Sequence, residues 1–244
     1  MRDYLIFRLY GPLAAWGDIA VGEYRPSFAH PSKSAIIGLL AAALGIRRDD
    51  AERQKALAET FSFAVRVDGM GTLLRDYHTT QVPSAKRGVV HYTRRSELAG
   101  DDLNTILSSR DYRCDAAYTV ALEIHNGAAY KAQELANALT KPAFTLYLGR
   151  KSCPLALPLQ PKVTNKETLK EALASVAFDD SELVDLTKQS HALLYWEDGQ
   201  LSGFTHEQII SRRDAPLNRT RWQFGERREH YCSVQKEDEA CSSL

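Results

Sequence analysis

Apolar and polar residues alternate in several short stretches along the first two thirds of the chain, and this pattern predicts strands. Residues 4–10 alternate and predict a strand that ends at Gly11-Pro12. Residues 61–67 alternate as well, which places Phe61, Phe63, Val65 and Val67 on one face. Three more strands are predicted: from a hairpin turn at 68–71 to about residue 79, at 118–124 and at 144–148.

Helices are predicted between these strands. Residues 34–44 are apolar nearly all round, which is typical of a helix packed on a sheet, and Gly45 is its expected cap. A short polar helix follows at 49–60 and another helix at 130–139. The order strand, helix, strand, strand, helix, strand is the split βαβ pattern of the ferredoxin-like fold, so we expect an α+β domain.

Residues 81–113 interrupt the pattern with polar, basic and turn residues. An interruption of this length is unusual for a plain loop in a compact domain and is expected to be functional. Beyond Pro161 the pattern predicts a helix at 167–176, a strand at 191–196, a hairpin at 197–200 and a last strand at 229–234. We interpret residues 1–160 as one domain and 161–244 as strands and a helix packed on it, with a disordered tail at 235–244.

Charge and cysteine content narrow the function classes. The chain has 31 basic and 31 acidic residues, which argues against indiscriminate polyanion binding but not against a local basic groove. None of the four cysteines lies in a C-x-x-C pair, so no zinc or other metal is predicted. No signal-like run precedes them, and the longest apolar run is too short to cross a membrane. We therefore expect a cytoplasmic protein without cofactor or membrane partner.

Aromatic residues stand beside basic ones in three stretches, and single-stranded RNA binds to surfaces that combine the two. A structural interpretation of each stretch, as core plus solvated face, stays open. The first stretch contains Trp16, Tyr24, Arg25, Lys33 and Ser34. The second contains Tyr77, His78, Lys86, Arg87, His91, Tyr92, Arg94 and Arg95. The third contains Tyr147, Arg150, Lys151 and Ser152.

Two of these stretches suggest how a phosphate could be held. The helix start beside Lys33 offers free N–H groups and a hydroxyl to an anion. The alternative is an ordinary helix capped by Ser32 or Ser34. In the third stretch Gly149 would let the backbone approach a ligand, and Arg150 could donate two bonds to a phosphate.

Four ordered stretches, residues 7–46, 46–50, 74–79 and 147–155, resemble the Cas-five branch of the RAMP superfamily of CRISPR proteins. The likeness covers the chain from its first residues to about Leu159. It departs at Ala35, where the family pattern leads us to expect glycine.

The resemblance implies a ferredoxin-like (RRM-like) RAMP domain with a protruding hairpin, the thumb, and extra C-terminal strands. It implies a non-catalytic subunit of a type I-E Cascade complex that binds the repeat-derived 5′ handle of CRISPR RNA (crRNA). The backbone subunit (CasC) and the large subunit (CasA) would be its partners, and target DNA would be reached through the complex. The thumb maps to about 81–113, so the part of the second stretch within it supplies partner contacts: Lys86, Arg87, His91, Tyr92, Arg94 and Arg95. The first and third stretches, together with Tyr77 and His78, supply the RNA-binding residues of the handle-binding face.

Two other functions stay open. One is a metal-independent CRISPR-repeat endoribonuclease, as in a type I-C relative, for which His78 beside Tyr77 and His91 beside Tyr92 are the candidate acid–base groups. The other is a protein adaptor without direct RNA contact.

Overall fold

The chain is built on a nine-stranded sheet in the computed structural model, which describes residues 1–178, 183–187, 190–218, 221 and 223–235. The strands are β1 (Arg2–Ala14), β2 (Tyr24–Arg25), β3 (Phe61–Gly69), β4 (Thr72–Pro83), β5 (Leu103–Ile124), β6 (Lys162–Lys166), β7 (His191–Glu197), β8 (Gln208–Asn218) and β9 (Gln223–Gln235). The helices are α1 (Lys33–Ala43), α2 (Ala51–Ala58), α3 (Arg94–Glu97), α4 (Ala132–Thr140), α5 (Leu169–Ala174) and α6 (Val184–Thr187). The sheet order is β6-β1-β5-β3-β7-β9-β8, and β2 and β4 pair with β5.

Side chains pack on both faces of the central strands. In β1, Leu5 and Phe7 belong to a core shared with α1 and α4, whereas Tyr4 and Ile6 belong to a second core with α5. The alternation seen in the sequence therefore separates two apolar layers rather than core from solvent. The prediction that Phe61, Phe63, Val65 and Val67 share a face is confirmed, since all four lie in the first core.

Helix α1 begins with an ordinary cap. The Ser32 side chain accepts a hydrogen bond from the Ala35 N–H at 3.1 Å, which satisfies one of the unpaired donors of the first turn. At the other end Gly45 has a φ of +70°, the left-handed conformation that glycine adopts without steric cost.

Strand β1 does not end at Gly11-Pro12 as predicted but runs on to Ala14. Beyond Ile6 it has β5 as its strand partner on one side, because β6 pairs only with residues 2–6. Proline is tolerated there because no strand of the described ranges pairs with that side of β1 beyond Ile6, although the 148–159 segment bonds to the backbone of Tyr10 and Ala15. Gly11 is required for packing, since a Cβ there would lie 2.5 Å from the carbonyl oxygen of Pro154.

Both predicted hairpin turns are wrong. β3 and β4 do not pair with each other across residues 68–71, because both pair with the long strand β5. Likewise β7 and β8 do not pair across 197–200, because β9 lies between them. Turn residues report only local backbone shape, whereas these pairings are set by the 22-residue strand β5 and by β9.

Strand β5 changes partners at Asp115. Residues 117–124 pair with β3, and residues 103–114 pair with β4. Asp115 and Gly71, on either side of the change, have φ values of +54° and +60°. A Cβ at Gly71 would lie 2.1 Å from the carbonyl oxygen of Cys114, so only glycine fits at this junction.

The interruption predicted at 81–113 is part of a longer hairpin. The arms of the hairpin are β4 and the first part of β5, so it begins at Thr72, nine residues before the predicted start at 81. We call residues 72–113 the hairpin and residues 84–102 the hairpin tip. Side chains of the β4 arm are largely exposed, whereas those of the β5 arm are mostly half-buried, with Asp111 and Tyr112 buried. Neither arm has a continuous apolar face, so neither shows a regular apolar alternation.

The predicted strand at 144–148 is an irregular loop. Its backbone bonds to the end of α1, where Phe144 N–H donates to the Ala42 carbonyl at 3.1 Å. The place beside β1 is taken instead by β6, which the sequence pattern did not reveal because most of its side chains are exposed.

A cluster of buried charges joins the C-terminal strands to α1. We call it the ionic cluster; its members are His30, Lys33, Glu197, Arg212, Asp214, Arg227 and Glu229. Arg227 lies at the centre, within ion-pair distance of three carboxylates. Burial raises the pKa of Glu229, but His30, Arg227 and Arg212 together lower it to about 2.

Strands on both sides of residue 160 belong to this one sheet, since β6 pairs with β1 and β7 with β3. Gln235, where the predicted tail begins, is the last residue of β9. The rest of that prediction, 236–244, lies outside the described residues. None of the helices in the described ranges is long and apolar enough to cross a membrane.

The ionic cluster predicts a defined acid sensitivity. Folded Glu229 stays ionised to about pH 2, whereas the unfolded group titrates near 4.5. Its contribution is therefore complete above pH 4.5 and lost as pH falls towards 2, and it amounts to at most about 3 kcal/mol. We expect Glu229→Gln to lower the urea-unfolding free energy at pH 6, and the difference from wild type to shrink at pH 3.

The matched control is Glu59→Gln, because the pair of Glu59 with Lys55 is solvent-exposed. We expect it to show no measurable difference at either pH. An equal Glu229→Gln deficit at pH 6 and pH 3 would contradict the role assigned to this carboxylate.

Candidate nucleic-acid interface

Asp111 is a buried carboxylate at the base of the hairpin, where β2, β4 and β5 meet. Its side chain accepts hydrogen bonds from Tyr24 Oη at 2.5 Å and from Arg75 Nε at 2.8 Å. Arg75 Nη2 also donates to the Tyr24 oxygen at 2.8 Å, and its guanidinium lies 4.9 Å from the Tyr24 ring centroid. The bond from Arg75, aided by Tyr24, outweighs burial and lowers the pKa of Asp111.

Arg150 connects the third predicted stretch to the same place. Its Nη1 donates to the backbone carbonyl of Asp111 at 3.0 Å, and its Nη2 donates to that of Arg25 at 3.1 Å. The guanidinium also lies 4.7 Å from the centroid of the Tyr112 ring. The prediction that Arg150 donates two hydrogen bonds to a phosphate is therefore corrected. Its guanidinium donates to two backbone carbonyls of the protein instead and holds β2 against β5.

The prediction that Gly149 lets the backbone approach a ligand is also corrected. Its φ is +82°, and a Cβ would lie 1.9 Å from the carbonyl oxygen of Ala15. Glycine is needed here because the loop packs on the protein's own backbone, not to let a ligand approach. In the same loop Tyr147, Lys151 and Ser152 are exposed and remain accessible.

Trp16 is not a base-stacking residue. Its side chain is 1% exposed, and its ring meets the Tyr118 ring edge-on at 5.6 Å between centroids. The sequence showed an aromatic residue in a Gly-Pro loop, but β1 continues to Ala14, and Ala15 and Trp16 directly after it lie in the core.

The predicted anion site at the start of α1 is filled from within the chain. Lys33 N–H donates to Asp214 Oδ2 at 2.8 Å, and Lys33 Nζ lies 2.9 Å from Glu197 Oε2. Ser34 Oγ lies 3.0 Å from the capping Ser32 hydroxyl. Lys33 and Ser34 thus belong to the ionic cluster and the helix cap, and we remove them from the RNA-binding residues.

Strand register sorts the remaining residues onto two faces. Tyr24, Ser109 and Tyr77 form one cross-strand row, and Tyr24 and Tyr77 are 39% and 61% exposed. Arg25, Arg110 and Asp76 form the next row, whose side chains point to the opposite face. We call the tyrosines and arginines of both rows, with Arg75 and Lys151, the hairpin-base surface. Tyr24, Arg75 and Tyr77 lie on one face of the strands, Arg25 and Arg110 lie on the other, and Lys151 completes the set.

His78 lies on the face of β4 opposite to Tyr77, because adjacent strand residues alternate. Its Nε2 is 2.6 Å from Asp76 Oδ2. His91 is exposed at the hairpin tip. Among the described residues no group of three His, Cys, Asp or Glu side chains could hold a metal ion.

The hairpin tip carries the other predicted residues, and all of them are exposed: Lys86, Arg87, His91, Tyr92, Arg94 and Arg95. Tyr92 is 90% exposed. Lys86 and Arg94 face Asp102 and Glu97, whereas Arg87 and Arg95 make no ion pair within the described part of the chain. The tip is thus a mixed basic and aromatic surface with few contacts to the rest of the protein.

Arg75, Arg110 and Asp111 were missed as site residues. Arg75 stands in one of the family-like stretches, but its type alone did not separate it from a solvated arginine. Arg110 and Asp111 lie in the half of β5 that the pattern left unassigned. Once that strand is recognised and paired with β4, Arg110 is next to Asp111 in the chain and Arg75 lies opposite Asp111. This grouping of two arginines around one acid indicates a site.

Comparisons with known proteins identify relatives. The family model described as CRISPR-associated protein (Cas_Cas5) matches residues 4–230. The CRISPR system Cascade subunit CasD of Escherichia coli (strain K12) is 42% identical over 167 residues, which cover 65% of this chain and 70% of that protein.

Two solved structures share the fold. A chain of a CRISPR RNA-guided surveillance complex superimposes with a TM-score of 0.66 at 24% identity, over 95% of this chain and 90% of that one. A crystal structure of a Cas protein gives a TM-score of 0.61 at 28% identity, over 96% of each chain.

Gly149→Ala tests the packing of the third stretch. We expect it to lower the unfolding free energy by at least about 2 kcal/mol, because it combines left-handed strain with a collision with Ala15. Gly88→Ala is the matched control, since its φ is +79° but a Cβ there meets nothing within 4 Å; we expect a cost of about 1 kcal/mol. Equal losses in denaturant unfolding would show that Gly149 is not needed for close packing.

Proposed function

Because this chain belongs to the Cas5 family of CRISPR-associated proteins, we propose that it is a CasD-type Cascade subunit whose hairpin-base surface binds the 5′ handle of crRNA. The observation that carries the RNA proposal is the exposed Tyr24–Tyr77 row beside the Arg75–Asp111 pair, with Arg25 and Arg110 on the reverse face of the same strands.

The chemistry of this surface suits unpaired RNA. Exposed tyrosine rings accept stacked bases, and each stacked base contributes about 1–3 kcal/mol. Arg110 and Lys151 supply cations for the phosphates. Arg25 adds its charge as well, although its Nη1 already donates to the backbone carbonyls of Gly22 and Tyr24. Arg110 makes no ion pair with any described residue, so it needs no internal partner to be displaced when a phosphate binds. A local surface of this kind is compatible with a formal net charge of zero.

We propose that the fold is a ferredoxin-like RAMP domain. The elements β1, α1, β3, β5, α4 and β6 follow the split βαβ sequence, and the strand order β6-β1-β5-β3 supports this topology. The hairpin is then a thumb inserted between β3 and the half of β5 that pairs with β3, residues 117–124. We propose that the division predicted at residue 160 lies instead after β6, so that β6 belongs to the first unit and β7–β9 to the second.

The hairpin tip is our proposed contact with the backbone subunit, CasC. Its basic and aromatic side chains project away from the core. A partner could therefore bind them without any change in the sheet. CasA is the proposed second protein partner, target DNA is reached only through the complex, and the location is cytoplasmic.

We propose that the subunit does not cleave RNA. Acid–base cleavage needs two groups directed at one phosphate, whereas Tyr77 and His78 point to opposite faces of β4. The Asp76–His78 pair is nevertheless the kind of pair that can act as a general base, so an endoribonuclease is the second candidate.

Incubation of the purified full chain with end-labelled repeat RNA in EDTA separates the candidates. We expect RNA that is bound and intact. RNA cut by wild type but not by His78→Ala would establish the endoribonuclease. RNA that is neither bound nor cut would leave a protein adaptor.

Replacing residues 85–101 by a short Gly-Ser turn tests the hairpin tip. We expect the unfolding midpoint of the isolated chain to stay within a few degrees, because the tip buries little surface and shortening a loop costs little entropy. Co-purification with CasC should be lost.

A Gly-Ser segment of the original length is the control that separates the tip's side chains from its reach. Unfolding of the short variant would mean that the tip is part of the core, and normal co-purification would remove it from the partner interface.

A further inference from the structure

We infer that Asp111 is a positioning residue for RNA: it holds Tyr24 in place, with Arg75, so that an unpaired base can stack on the Tyr24 ring. The inference rests on the proposed function of the hairpin-base surface and deepens it, because it names the ligand group, a nucleobase, and the residue that prepares its platform.

The three side chains form a closed set of contacts. Asp111 Oδ1 accepts from Arg75 Nε at 2.8 Å, and Asp111 Oδ2 accepts from Tyr24 Oη at 2.5 Å and from Arg75 Nη2 at 3.2 Å. Arg75 Nη2 also donates to Tyr24 Oη at 2.8 Å. Asp111 is 2% exposed, so these bonds replace the water that a buried carboxylate has lost, although the Arg75 side chain is itself 57% exposed.

Tyr24 needs such support because its own strand is short. β2 has two residues and pairs only with Ser109 and Arg110, and the residues before it, 18–23, are exposed. Without the bond at its hydroxyl the ring would sample several rotamers. Fixing it before binding removes part of the ordering cost from the complex.

A ligand can contact only the part of the Tyr24 ring that Arg75 and Asp111 leave uncovered. Arg75 lies over the ring, 4.9 Å from its centroid, and the hydroxyl is engaged by Asp111 and Arg75. The side chain is nonetheless 39% exposed. An exposed aromatic surface that is held at its polar end stacks any base, so this platform is expected to bind RNA with little sequence preference.

Arg75 serves the ring rather than a phosphate. Its Nε and Nη2 are engaged by Asp111 and Tyr24, and its charge is balanced by a buried carboxylate. Arg110, which lies on the opposite face and makes no ion pair among the described residues, supplies phosphate attraction instead. Removal of Arg110 should therefore change the salt dependence of RNA affinity, whereas removal of Arg75 should not.

The experiment measures binding of end-labelled single-stranded repeat RNA to the purified full chain across a range of salt concentrations. We expect Tyr24→Ala, Asp111→Asn and Arg75→Ala each to weaken binding by about tenfold, with an unchanged log–log salt slope, because a stacked base and not a phosphate is lost. Arg110→Ala should reduce the slope by about 0.7, the value for one phosphate contact on a single strand.

A double variant tests whether Asp111 acts through Tyr24. Asp111→Asn added to Tyr24→Ala should cause no further loss, because the group that it positions is absent. Tyr24→Phe removes only the hydrogen bonds of the hydroxyl and should lower RNA affinity a few-fold. If Asp111→Asn proves to be unfolded, Tyr24→Phe still tests whether these bonds matter for RNA binding. Asp68→Asn is the control, since it removes a comparable Arg–Asp pair, 2.6 Å from Arg66, elsewhere on the sheet; RNA affinity should not change.

Three results would overturn the inference. They are a tenfold loss from Asp111→Asn in the Tyr24→Ala background, a slope reduced by Arg75→Ala, and unchanged affinity in both Tyr24→Phe and Asp111→Asn. If wild type itself binds no RNA, the proposed function fails as well; if wild type binds and these variants bind equally well, only this inference fails.

Discussion

Strand β5 is the constraint on which the rest of the structure depends, because one continuous stretch of backbone pairs with β1, β2, β3 and β4. Its second half lies in the centre of the sheet, buried on both faces. Its first half forms one arm of the hairpin. The core and the projecting surface are therefore not separate modules, and the orientation of the hairpin is set by strand pairing inside the core.

The ionic cluster supplies a second long-range connection, in which three cations (Lys33, Arg212 and Arg227) face three carboxylates (Glu197, Asp214 and Glu229). Buried charges of this kind contribute little net stability as a set, but removing one member leaves another without compensation. The cluster thus ties the start of α1 to β7, β8 and β9 in a single arrangement. A carboxylate of the chain occupies the place where a phosphate was expected.

The sequence predicted those elements whose burial follows a simple period. The shared face of β3, the helices α1 and α4 and the strand β7 belong to this group, since one or both of their faces meet the core. The β4 arm was predicted only to about residue 79, and the β5 arm escaped detection because few of its side chains are buried. Pairing was misjudged wherever a turn suggested a local partner but a distant strand provided a better one, as for β4 with β5.

Site residues were predictable only by type. Tyr24, Arg25 and Tyr77 were predicted, and the strand register brings them together. Trp16, Lys33 and Arg150 were misassigned because their partners lie far along the chain; the partner of Lys33, for instance, is Glu197. Periodicity reports how a residue is buried, but it does not report which charge will be placed beside it by a strand more than one hundred residues away.

The left-handed junction at Gly71 and Asp115 has a mechanical consequence. From this point the paired arms extend to Pro83 and Leu103, a length of about 40 Å at roughly 3.4 Å per residue. Strand β2 pairs with Ser109 and Arg110 and so braces the base of the hairpin, whereas the arms beyond it pair with each other. A rotation of about 5° at the junction would displace the far end by roughly 3 Å over that length, which is the length of a hydrogen bond. The bracing by β2 therefore has a large effect on where the hairpin tip lies.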